Sequence, residues 1–180
     1  MKKRKVLVYI ATSLDGYIAK EDGGLDWLHE AEGEGDNGYE DFIASVDTVI
    51  MGRKTYEDIH ELAGEYPYQG KKSYVFTTSA ADLKNTAFAS HVEFIAGEAA
   101  DLIAKLQAEP GSNIWLVGGA NLLQEFLKDD LVDEYIISII PAILGKGIPL
   151  FSRQTPETRL QLLSTKQYGQ IAQLHYIRKE

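Results

Sequence analysis

Val49-Ile50-Met51-Gly52-Arg53-Lys54-Thr55-Tyr56 is a run of buried-strand residues that stops at a glycine and passes at once into two cations and a hydroxyl. Asp47 to Met51 predicts a strand, and Lys54 to Glu61 predicts a helix starting directly behind the turn. Open α/β sheets build phosphate sites from this arrangement, because the free N–H groups and positive dipole end of the helix face whatever lies beyond the strand. Two cations in the first turn oppose that dipole unless an anion joins them, so Arg53 and Lys54 point to a bound anion rather than to a plain solvated helix start.

Working outward, Leu116-Val117-Gly118-Gly119-Ala120-Asn121 repeats the pattern. A strand over Asn113 to Val117 meets paired glycines, which admit close backbone approach to a diphosphate, and a helix over Ala120 to Leu127 follows. Alone, the glycine pair reads rather as a tight turn with close helix packing. Other strands are expected at Lys5 to Thr12, Ser73 to Thr78, Val92 to Ile95 and Val132 to Ile140, with an amphipathic helix over Glu98 to Gln107. Leu160 to Tyr168 and Ile171 to Arg178 flank Gly169-Gln170 and predict a closing antiparallel hairpin. Lys20 to Asp41, rich in glycine and acids, predicts a mobile loop running into a short helix around Asp36 to Ser45. Strands alternating with helices give an α/β fold, a mostly parallel twisted sheet with helices on both faces, and residues 1–180 are expected to form one domain.

Composition narrows the function classes. The 180 residues are 44% hydrophobic and 25% charged, as in globular chains. A net charge of -9 argues against a nucleic-acid or anionic-lipid face, so an anion site must be local. With 0 cysteines there is no thiolate chemistry and no disulfide, which suits a cytoplasmic location. The apolar run after the basic start is too short for a secretory signal, and no stretch is long enough to cross a membrane. His29, His60, His91 and His175 show no metal-ligand spacing, so no metal is expected. Redox chemistry would need a borrowed cofactor.

These residues resemble a known family. Residues 49–57, and Ile114-Trp115-Leu116-Val117-Gly118-Gly119 followed by Glu125-Phe126-Leu127, are similar in order to the cofactor turns of bacterial dihydrofolate reductases. The opening Ala11-Thr12-Ser13-Leu14-Asp15-Gly16-Tyr17-Ile18-Ala19 and Pro141-Ala142-Ile143-Leu144-Gly145-Lys146-Gly147-Ile148-Pro149-Leu150-Phe151 resemble more closely the reductase domain of the bifunctional riboflavin-biosynthesis deaminase/reductase. The resemblance covers nearly the whole chain and implies the dihydrofolate-reductase-like three-layer sandwich. It also implies NADPH as cofactor, with hydride transfer to a C=N or C=O bond of a small pteridine-, pyrimidine- or carbonyl-type substrate. Ala11 and Ile18 would frame the nicotinamide. Gly52, Arg53, Lys54 and Thr55, with Thr77, Thr78 and Ser79, would take the adenosine phosphate side. Gly118, Gly119, Ala120, Asn121 and Leu122 would take the diphosphate, and Trp27 and Ser138 would contact the substrate. A homodimer is also implied, with no nucleic-acid or membrane partner.

Asp36 sits at the spacing of the family's pocket carboxylate and, with Glu40 one helical turn on, is the candidate to orient substrate or assist protonation. Either residue may equally belong to a solvated acidic face, since Glu30 to Asp41 is acidic throughout. The chain also departs from both parents. Lys71 stands where dihydrofolate reductases use an arginine, which argues against dihydrofolate as substrate. Tyr17 replaces a lysine, and the acidic stretch would repel a ribose phosphate, which counts against 5-amino-6-(5-phosphoribosylamino)uracil. The rival of another class is a non-catalytic nucleotide-binding module on the same fold.

Overall fold

Strands that are apolar throughout need cover on both sides of their sheet. In the computed structural model, which describes residues 3–179, β1 (Val6–Ser13) is followed by a short β2 (Tyr17–Ala19), a single-turn α1 (Asp26–His29) and α2 (Tyr39–Ala44). Then come β3 (Val46–Gly52), α3 (Arg53–Leu62), β4 (Lys72–Phe76), β5 (Glu93–Ile95) and α4 (Ala99–Ala108). The chain continues through β6 (Asn113–Gly118), α5 (Ala120–Lys128), β7 (Glu134–Ile140) and β8 (Ile148–Pro149), and ends with β9 (Leu160–Tyr168) and β10 (Ile171–Arg178).

Eight strands form one sheet in the order β5-β4-β3-β6-β1-β7-β10-β9. The first six run parallel, and β10 and β9 close the sheet as an antiparallel hairpin beside β7. Alternation along the strands feeds two cores. Val6, Val8, Ile114 and Leu116 pack under α4 and α5, while Leu7, Trp115 and Met51 pack under α2 and α3. Phe126 of α5 and Tyr56 of α3 are fully buried on opposite faces. Each such side chain contributes about 1.5–3 kcal/mol of burial energy.

Two expectations need correcting. Residues 20–41 are not one free loop: Trp27 on α1 is only 4% exposed and packs with Ile140 and Ile171. An indole of that size is held by apolar burial even where glycines surround it in sequence. The helix expected from Asp36 is also shorter, since α2 starts at Tyr39 and Asp36 lies in the turn before it.

The two motifs resembling the riboflavin reductases fold onto one another. Asp15 accepts hydrogen bonds from the Ser13 hydroxyl (2.6 Å), the Leu144 N–H (3.1 Å) and the Gly145 N–H (2.7 Å). The Ser13 hydroxyl and those two N–H groups hold the Asp15 carboxyl below the usual carboxylate range. Leu14 N–H donates to Ala142 O at 2.8 Å, and β2 pairs antiparallel with β8. The motif that reads as functional in sequence thus fixes the strand carrying Ile18.

Beneath the opposite end of the sheet, Arg4 is buried. It donates to Ser112 O (2.9 Å), Leu106 O (3.2 Å) and Thr48 Oγ1 (2.7 Å) and pairs with Asp47. Burial works to raise the Asp47 carboxyl, but the Ser112 N–H, the Thr48 hydroxyl and the Arg4 guanidinium together hold it below its ordinary value. Because the Asp47 side chain is 40% exposed, water screens the pair, and Asp47→Ala should lower the unfolding free energy by only about 1–2 kcal/mol. The folded-state pKa is depressed, so this contribution is complete above the unfolded value of about 3.9 and is lost as pH falls through the folded value. Urea denaturation should show a gap between wild type and variant at pH 7 that narrows in strong acid.

Candidate functional site

Strands β3 and β6 are parallel neighbours, and both end in glycine at the same edge of the sheet. Their helices then part: α3 goes to one face and α5 to the other. Such a reversal opens a crevice beyond the strand ends, where helix N-termini converge. The two turns touch across it. Gly119 has φ +92°, and a Cβ there would lie 3.5 Å from the Gly52 Cα and N and from Thr55 Oγ1. Gly118 also has positive φ, at +144°. The pair forms a low saddle, and a cavity opens on each side of it.

The first cavity, about 630 Å³, is lined by the starts of both helices, with Gly52, Arg53 and Lys54 on one side and Ala120, Asn121 and Leu122 on the other. Thr77 and Thr78, just past β4, and Ala96 and Gly97, just past β5, complete its rim. The first turn of α5 has no acidic side chain, so its N-terminal N–H groups face the cavity without competition. Arg53 is braced by Glu57 (Nε to Oε1, 2.8 Å) and Ser79 O (3.3 Å), with Asp82 at 3.8 Å. Lys54 pairs with Asp58 one turn along. The anion that the two cations required in sequence is therefore supplied in part by the chain's own (i, i+4) carboxylates. Those pairs hold both cations at the rim.

The second cavity, about 450 Å³, is mainly apolar. Ile10, Ile18, Leu25, Ile59 and Val117 contribute to its wall, and Thr55, Asp58 and Tyr68 are its polar side chains. Gly119 lines both cavities.

Of the residues singled out in sequence, Gly52, Arg53, Lys54, Thr77, Thr78, Gly119, Ala120, Asn121 and Leu122 meet at the first cavity. Thr55, assigned with the phosphate group, lies instead on the second cavity, because its side chain points across the saddle towards Gly119. Ile18 and Gly118 are there as well. Ser79 contributes its carbonyl to Arg53 but does not line the cavity. Ala11 packs beside Trp27.

Asp36, Glu40, Trp27 and Ser138 line neither cavity. The Asp36 carboxylate accepts the N–H groups of Glu40 and Gly38, which hold it below the usual carboxylate range, and this organises the turn into α2. That shift runs opposite to what a proton donor at neutral pH needs. Ser138 is buried and accepts from Gln173 Nε2 at 3.2 Å. Lys71 Nζ donates to Ile43 O (2.7 Å) and Val46 O (2.8 Å) at the end of α2, so it is employed in the fold.

Sequence reading missed Asp58, Ile59 and Leu62. Their spacing from Thr55, three, four and seven residues along one helix, was the available signal. Tyr68 was also missed, and no periodicity marks it because it sits in a turn.

The sheet order, crevice and paired cavities define a dihydrofolate-reductase-like α/β protein. Residues 4–174 match the model of the RibD C-terminal domain, and the chain belongs to that family. It is 55% identical over 176 residues to the uncharacterized protein YwjB of Bacillus subtilis (strain 168), covering 98% of this chain and 99% of that one. A crystal structure from Shewanella sp. PV-4, of a protein ascribed to riboflavin biosynthesis, superposes with a TM-score of 0.88 at 32% identity, covering 98% of this chain and 99% of that one. Dihydrofolate reductase from Enterococcus faecalis, complexed with NADP(H), shares the fold with a TM-score of 0.65 at 16% identity, over 98% of this chain and 97% of that one.

Gly119→Ala tests the saddle. A side chain at φ +92° is strained by about 1–3 kcal/mol, while its Cβ would sit at ordinary contact distance, 3.5 Å, from the Gly52 backbone. A fall of that size in urea-derived stability is expected, and an unchanged midpoint would mean that the turn tolerates a side chain.

Proposed function

We propose that this chain is an NADPH-dependent reductase that transfers a hydride to a C=N or C=O bond of a small pteridine-, pyrimidine- or carbonyl-type substrate. One observation carries the reading: a cavity rimmed by two helix N-termini, Arg53, Lys54, Thr77 and Thr78 lies next to an apolar cavity, with the positive-φ Gly119 lining both. A dinucleotide has that division of chemistry, with a charged phosphate portion and an uncharged redox ring. Membership of the RibD C-terminal family supports the reductase assignment.

In this reading the N–H groups at the start of α5 hold the diphosphate, and Gly118 and Gly119 let it pass close to the backbone. Arg53, Lys54, Thr77 and Thr78 receive the extra adenosine phosphate. Ile18, Val117 and Ile10 would hold the nicotinamide and keep water from it. The bound cofactor supplies the hydride, and the protein supplies alignment and a dry site.

A second reading, reduction of 5-amino-6-(5-phosphoribosylamino)uracil, is favoured by the family match. Against it, Asp58 is a carboxylate on the second cavity, and a sugar phosphate there would face a like charge. Dihydrofolate would need a clamp for its tail carboxylate, and Lys71, at that place, is spent on two carbonyls.

Calorimetry with NADPH and NADH, followed by NADPH-oxidation assays against pteridine, pyrimidine and aldehyde panels, tests the assignment. Binding without turnover on any compound would favour a nucleotide-binding module. Arg53→Ala should weaken NADPH about 10-fold or more, as expected for a charge-assisted contact, and leave NADH within about 2-fold. Equal losses for both would remove Arg53 from phosphate discrimination.

A further inference from the structure

Coenzyme binding leaves the Tyr68 hydroxyl of the second cavity without employment. Tyr68 lies in the turn between α3 and β4, is only 8% exposed, and lines the cavity. Its ring is fixed edge-on against Trp115 (centroids 5.4 Å apart) and Tyr66 (5.6 Å). Among the described residues its hydroxyl meets no hydrogen-bond partner, and it is not sealed in as the partnerless Trp27 Nε1, Tyr66 Oη and Trp115 Nε1 are. A mostly buried hydroxyl without a protein partner is costly, and on a residue that lines a cavity it is open to a ligand.

Resting on the reductase reading, we propose that the Tyr68 hydroxyl is the hydrogen-bond donor that recognises the carbonyl oxygen of the substrate, and that the substrate class is a neutral, ring-bearing carbonyl compound. Three observations select that class. Ile59, Leu62 and Pro67 give the cavity an apolar wall that accepts a ring. Among its lining residues there is no cation, and its carboxylate, Asp58, disfavours an anionic substrate. Burial raises the Tyr68 phenol well above its ordinary range, so it remains a donor across physiological pH and needs an acceptor. As a hydride from bound NADPH adds to the carbonyl carbon, the C=O π pair moves onto oxygen and this hydrogen bond strengthens, which favours the transition state over the bound substrate. The alkoxide then takes a proton from solvent, so that NADPH, carbonyl and H+ give NADP+ and alcohol.

The test compares 1-tetralone with 1,2,3,4-tetrahydronaphthalene, which share a ring frame and differ by the carbonyl, as ligands of the wild-type protein and of Tyr68→Phe in the presence of NADP+. Phenylalanine keeps the ring contacts with Trp115 and Tyr66. The wild type should bind the ketone at least about 5-fold more tightly than the hydrocarbon, the difference one hydrogen bond supplies. Tyr68→Phe should abolish that preference while NADPH affinity stays within about 2-fold of wild type. No ketone preference in the wild type, or the same preference in Tyr68→Phe, would overturn the proposal. The wild-type comparison needs no variant and decides by itself if Tyr68→Phe does not fold. A wild type that fails to bind NADPH removes the reductase reading, whereas NADPH binding without ketone preference removes only the role of Tyr68.

Discussion

The close approach of two backbones at the ends of β3 and β6 is the constraint on which the rest of the structure depends. Gly52 and Gly119 face each other with no side chain between them, and the φ of +92° at Gly119 strains any side chain placed there. Because α3 and α5 leave this point for opposite faces of the sheet, their N-termini converge on the crevice without crowding one another. The saddle therefore sets both the separation of the two cavities and their connection.

That geometry also sorts the chemistry. Helix N-termini and the cations Arg53 and Lys54 stand on one side, with the carboxylates Glu57 and Glu125, while the other side is walled by Ile10, Ile18 and Val117. The Lys54–Asp58 pair spans the two, since Lys54 lines the first cavity and Asp58 the second. A change at either residue would thus be felt in both halves of the site.

The fold was legible because apolar strand runs, glycine stops and helix starts agree with one another, as at Val49 to Tyr56. The lining of the first cavity was legible for the same reason: Gly52, Arg53, Lys54, Thr77 and Thr78 follow strand ends directly in sequence. Asp36 was placed by spacing from a motif, and the two backbone N–H groups that its carboxylate accepts could not be read from that spacing. Trp27 reads as a loop residue until Ile140 and Ile171, far along the chain, bury it. Tyr68 belongs to a turn whose direction is set by tertiary packing against Trp115, and no local pattern encodes that.

A crystal structure of the protein with NADP+ tests the central claim most directly. The account requires the diphosphate to lie over Gly118 and Gly119, the adenosine phosphate beside Arg53, and the nicotinamide in the cavity walled by Ile18. A dinucleotide lying wholly on one side of the saddle, or protein crystals that take up none at millimolar concentration, would contradict it.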